Sequence, residues 1–122
     1  MSDADQGTGD SEAVFTMLEE LGVVSARTLG LDHPGVVALC DANRQLEEGQ
    51  PGLAMHTLEV ELGEPDSPQP MEIGAAAFVL RGKAHEAQDR TYHARIDYEY
   101  ALKMRANIPY AIEAIRRIDR RG

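Results

Sequence analysis

The residues able to do chemistry are concentrated in one stretch, RGKAHEAQDRTYHARIDYEYALKM, Arg81 to Met104. It holds His85, Glu86, Asp89, His93, Asp97 and Glu99, side chains that in other settings shuttle protons or bind a metal ion. Their spacing argues against both roles. A zinc-protease helix carries two histidines four apart with Glu directly after the first, whereas His85 and His93 stand eight apart across a turn at Asp89 and Arg90. A di-iron bundle needs Glu three residues before His, and the residues in those places are Gly30, Leu53, Gly82 and Arg90. Cys40 is the single cysteine, so neither an internal disulfide nor a cysteine zinc site can form. In its run GVVALC it reads as a small buried thiol. The glycines of GTGDSE lack the lysine and preceding strand of a phosphate loop. No catalytic residue, metal or cofactor is assigned, and the chain is expected not to be an enzyme. The polar residues of 81–104 read instead as the solvated faces of two helices, with Glu99 and Lys103 as an ion pair four apart.

Elements that would carry such faces follow from composition. The 122 residues make one domain's worth of chain, 43% apolar but only 5% aromatic and without tryptophan. A core of Ala, Leu, Val and Ile suits closely packed helices. No apolar run reaches the roughly 18 residues of a membrane span. The acidic start MSDADQGTGDSEA lacks the basic and apolar regions of a signal peptide, so a cytoplasmic location is expected.

Charge is unevenly distributed. Residues 1–70 carry 14 acids against Arg27 and Arg44, giving −12, and residues 71–122 carry 10 bases against 7 acids, giving +3; the sum is −9. An acidic chain is poorly suited to nucleic acid, which needs a dominant basic face. The one basic patch, RRIDRRG from Arg116 to Arg121, is interrupted by Asp119 and fits a solvated helix end that complements the helix dipole. Contact with nucleic acid through these arginines is the alternative function. The asymmetry also allows the two halves to attract each other, within one molecule or between two.

Residues 1–10 read as a disordered acidic tail. A helix is expected from Asp10 or Ser11, with Val14, Phe15, Met17, Leu18 and Leu21 on its apolar face and Gly22 as its stop. Pro34 suits the first turn of the next helix. GQPG (residues 49–52) then turns the chain into LAMHTLEVELG, so 34–63 forms an antiparallel hairpin. EPDSPQP (64–70) is a proline-rich loop. A second hairpin spans 71–106, with Thr91 capping its second helix, and a last helix covers 109–121. The fold class is all-α, a single helical domain over 11–122.

Gly82 in mid-helix costs roughly 1 kcal/mol relative to Ala and so implies a packing reason. Gly82 facing Ala94 and Ala101 makes a close seam whose wider parts Phe78 and Tyr98 fill. Phe78, Gly82, Ala94, Tyr98, Ala101 and Leu102 together resemble the tetratricopeptide repeat (TPR) pattern. Arg81 stands where that pattern has Leu, His85 where it has Tyr, and Pro109 falls about three residues late. An arginine there must snorkel or find a partner. A more degenerate copy precedes it, with Ala54, Leu58 and Leu62 40 residues before Ala94, Tyr98 and Leu102, and Ala38, Ala42 and Gln45 in its first helix.

The resemblance implies antiparallel helical hairpins stacked as a fragment of a right-handed α-solenoid, closed by a capping helix at 109–121. It also implies a protein-binding adaptor or assembly subunit that contacts a partner, or itself, through helical surfaces. Val79, Leu80, Lys83, Glu86 and Ala87 would then face the groove. Lys83 has no asparagine in its helix to complete the carboxylate clamp of TPR co-chaperones. Ile112, Ile115 and Ile118, with Ile108, form a stripe expected to pack partly on the hairpin and partly on a partner or another subunit. Tyr98 is assigned to the core, whereas Tyr92, Tyr100 and Tyr110 would mark an interface if exposed together.

Overall fold

A computed structural model of the chain describes residues 3–62 and 70–121, with side chains from residue 11 onward. Regular structure among the described residues is entirely helical. The elements are α1 (Asp3–Glu20), α2 (Ala26–Leu29), α3 (Pro34–Glu47), α4 (Pro51–Leu62), α5 (Met71–Ala87), α6 (Thr91–Met104) and α7 (Pro109–Arg121). No helix among them is long and apolar enough to cross a membrane.

Local chemistry sets most of these boundaries. Pro34 opens α3, and the His33 side chain caps it by accepting from the Gly35 amide at 3.0 Å. The turn before α6 is made by Asp89 in a left-handed conformation (φ 60°), a geometry that Asp tolerates better than most residues. Two expected starts are corrected. α1 begins at Asp3 rather than at Asp10 or Ser11, so the backbone of 3–10 is helical. Thr91 is the first helical residue of α6 rather than its cap, and Arg90 in the cap position makes no side-chain capping bond. The expected loop at 64–70 lies, apart from Pro70, outside the described residues.

Each helix from α3 onward packs on the next, and α3 also packs on α5. α5 is therefore the hub, touching α3, α4 and α6, and it is buried around most of its circumference: Ile73, Ala75, Ala76, Val79, Leu80, Gly82, Ala84 and His85 are all interior. The N-terminal segment reaches the far end of the chain at Gly22. There φ is +97°, and an added Cβ would lie 2.9 Å from Ile108 Cγ1, so the residue is fixed both by backbone geometry and by close approach.

Gly82 sits where α5 meets α6. A Cβ on it would stand 2.8 Å from Tyr98 Cε1 and 3.0 Å from Cδ1. The Tyr98 ring, fully buried, lies against the glycine backbone, and Ala94 and Ala101 on the same side of α6 are equally buried. Small residues let two helices approach until one aromatic ring fills the gap between them. Phe78 is half-buried and stacks on Tyr100 with ring centroids 4.5 Å apart.

Gly82→Ala would normally stabilise a helix interior by about 1 kcal/mol. Here it is expected to be destabilising, because the ring cannot move, and Gly82→Leu should cost about 1–3 kcal/mol as overpacking. Urea unfolding of both variants checks this. A Gly82→Ala protein more stable than the parent would remove the seam.

Candidate functional site

The polar side chains of 81–104 do not simply face water. Asp97 is 4% exposed and His85 8%, which corrects the reading of both as part of a solvated helix face. Asp97 points into the α5–α6 interface because it faces Arg81. The guanidinium donates to it through two nitrogens, Nε to Oδ2 at 2.9 Å and Nη2 to Oδ1 at 3.0 Å. This fork geometry gives the strongest form of ion pair. Arg81 thus finds a partner and also lies over the Phe78 ring at 5.1 Å.

His85 Nε2 stands 3.6 Å from Asp97 Oδ2, beyond hydrogen-bond length, and its Nδ1 is buried without a partner. Burial holds the imidazole pKa below its ordinary value. Asp97 opposes this, while Arg81, the neighbouring ring of His93 and Arg90 reinforce it. His85 is a neutral interior histidine at neutral pH.

Glu86 makes a second node. It accepts from the Tyr98 hydroxyl at 2.6 Å and from Arg117 Nη2 at 2.6 Å, so one carboxylate joins α5, α6 and α7. Burial, followed by the bond to Glu86, pushes the Tyr98 hydroxyl pKa far above the ordinary phenol value. Tyr98 is a donor locked into a network, not an acid–base group. Tyr110 packs near Tyr98, with centroids 6.2 Å apart, and Lys83 lies over its ring at 5.3 Å.

A related contact joins α3 to α4. Thr57 donates to Gln45 at 2.7 Å. Gln45 and Thr57 stand 40 residues before His85 and Asp97 (85 − 45 and 97 − 57), so the same two places of each helix pair face each other across the interface.

Of the residues assigned to a partner groove, Val79 and Leu80 are fully buried and cannot line an open face, since α5 is enclosed by its neighbours. Glu86 is occupied by Tyr98 and Arg117, and Lys83 is half-buried over Tyr110. Ile118 and Ile108 are buried, and Ile112 and Ile115 are half-buried; the stripe serves mainly to seat α7. Glu99 pairs with Arg95 at 3.2 Å, not with Lys103, and Arg95 also pairs with Asp119. Arg117 and Arg120 of the C-terminal basic patch are engaged by Glu86 and Glu113. Cys40 is half-buried, and burial together with Asp41 raises its thiol pKa, which keeps it protonated and a poor nucleophile. Among the described residues no three His, Cys, Asp or Glu side chains converge on a common metal position.

What remains open is an apolar surface. Tyr92, Ile96 and Tyr100 are spaced by four on α6 and are 74%, 42% and 48% exposed. Leu53 and Val60 on α4 are 45% and 61% exposed, with exposed His56 between them on the same side of the helix. Spacing alone could have found the α6 stripe, and the tyrosines in it were the visible signal. Comparisons with protein-family models, with curated proteins and with solved structures found no match.

Arg81→Leu leaves Asp97 buried and uncompensated. It is expected to cost about 2–4 kcal/mol, and adding Asp97→Leu should recover most of that loss, as denaturant midpoints would show. A single variant as stable as the parent would contradict the pairing. For His85, the folded pKa lies below the unfolded one, so the unfolded chain binds more protons in the interval between them. Its contribution is full above about pH 6.5 and is lost as pH falls from there toward the folded value. The melting temperature should fall between about pH 7 and pH 5.5 more for the parent than for His85→Gln. Parallel curves would contradict a buried neutral histidine.

Proposed function

We propose that the chain is a small TPR-like scaffold that works by protein–protein contact, with no chemical step of its own. In this reading α3–α4 and α5–α6 are two stacked antiparallel hairpins of a short right-handed solenoid, and α7 is a helix closing its end. Support comes from the Gly82–Tyr98 seam flanked by Ala94 and Ala101. It comes also from the matching polar pairs 40 residues apart, Gln45–Thr57 and His85–Asp97.

The observation that carries the functional reading is the division of labour among side chains. Of the reactive-looking residues of 81–104, His85 and Asp97 are turned inward and Glu86 and Glu99 are paired, while large apolar and aromatic residues are turned outward. Tyr92, Ile96 and Tyr100 form one continuous stripe, and tyrosine is favoured at binding surfaces because it combines a broad apolar face with a hydrogen-bonding tip. Contact therefore runs through the second helix of each pair, not through α5.

Affinity capture from native lysate with the tagged chain tests the reading, run in parallel with Tyr92→Glu/Tyr100→Glu. Both residues are exposed, so the variant should fold normally. A protein, or an untagged copy of the chain, held by the parent and lost from the variant is the expected outcome. Identical captured sets, or nothing dependent on the stripe, would overturn it.

A further inference from the structure

The charges left unpaired beside the two exposed apolar stripes differ in sign. α4 carries Glu59 and Glu61, both exposed, and no base. The α6 stripe is bracketed by exposed Arg90 before Tyr92 and exposed Lys103 after Tyr100. Both helices pack on α5. Arg81 of α5 reaches Asp97 on α6, and Glu59 of α4 is near enough to favour its charged form. Arg81 thus lies between Glu59, next to Val60 in α4, and Asp97, next to Ile96 in α6.

Apart from the pull of Glu59 on Arg81, little of the charge asymmetry between the halves is used within the molecule. Among the described residues every ion pair joins two groups within 11–62 or two groups within 71–121. Complementary charge left unmatched inside one chain is available between chains.

We infer that the occupant of this face is a second copy of the chain, bound about a two-fold axis with α4 of each protomer against α6 of the other. This rests on the contact-scaffold reading and names its partner. A two-fold contact uses one patch twice, so the patch must be self-complementary, and the acids of α4 beside the unpaired bases at the two ends of α6 meet that requirement. Leu53 and Val60 would lie against Tyr92, Ile96 and Tyr100 at the dry centre. Glu59 and Glu61 would meet Arg90 and Lys103 at the rim, where charges set orientation more than affinity.

Sedimentation velocity on the purified full chain over a concentration series tests the inference, because the geometry permits a charge exchange. Glu59→Lys/Glu61→Lys makes α4 basic against the bases at the ends of α6, and Arg90→Glu/Lys103→Glu makes those ends acidic against acidic α4. Each variant alone should dimerise about tenfold more weakly or not at all. Mixed in equal amounts they should restore a heterodimer, because both α4–α6 contacts are again between unlike charges. Ile96→Asp should be monomeric, and high salt should weaken the parent dimer without abolishing it. All five positions are exposed, and unchanged circular dichroism confirms folding. A parent monomeric at every concentration overturns the inference, as does a dimer indifferent to the charge variants and to Ile96→Asp. If the monomeric parent still captures a different protein in a stripe-dependent way, the scaffold reading stands and only the self-pairing falls.

Discussion

The fold depends on how closely α5 and α6 can approach, and the Tyr98 ring against Gly82 sets that distance. The contact has two parts that need each other. The missing side chain of Gly82 makes room for the ring, and the bond from the Tyr98 hydroxyl to Glu86 fixes where the ring must lie. Glu86 in turn holds Arg117, so the spacing of two helices decides the seating of a third. A buried hydroxyl and carboxylate without these partners would each be costly. With them, the polar network gives α7 one position instead of several.

The same logic commits three ionisable residues of this stretch to the interior. Asp97 is saturated by the Arg81 fork, Glu86 by Tyr98 and Arg117, and His85 is held neutral by burial. A nucleophile or general base needs a free lone pair aimed at open space. These groups aim at one another. The outward positions between them are filled by Tyr92, Ile96 and Tyr100, residues suited to contact.

Much of this was legible in the sequence where the constraint is local. The small residue at Gly82 and the alanines at Ala94 and Ala101 indicate close helix packing without knowledge of the rest of the fold. Arg81 was legible as a charge in need of a partner, but Asp97 was not legible as that partner, because the match depends on the register of two helices 16 residues apart along the chain. His85 and Asp97 read as solvated for the same reason. Val79 and Leu80 read as groove residues because neighbours on a single helix do not reveal that α3, α4 and α6 enclose it. The isoleucines of α7 read as divided between the hairpin and a partner, and α6 with the Glu86–Arg117 bond draws Ile118 fully inward while Ile112 and Ile115 are half-buried.

The account stands on Tyr98 and Glu86 acting as one structural unit, and a double-mutant cycle on Tyr98→Phe and Glu86→Gln measures that most directly. Tyr98→Phe removes the hydrogen bond and Glu86→Gln removes the charge that strengthens it, each keeping the shape of both side chains, and urea unfolding gives the stabilities. A coupling of about 1–3 kcal/mol is expected for such a pair in contact. Additive losses, with no coupling beyond about 0.3 kcal/mol, would mean that the two residues act independently and that α5, α6 and α7 are held together by something else.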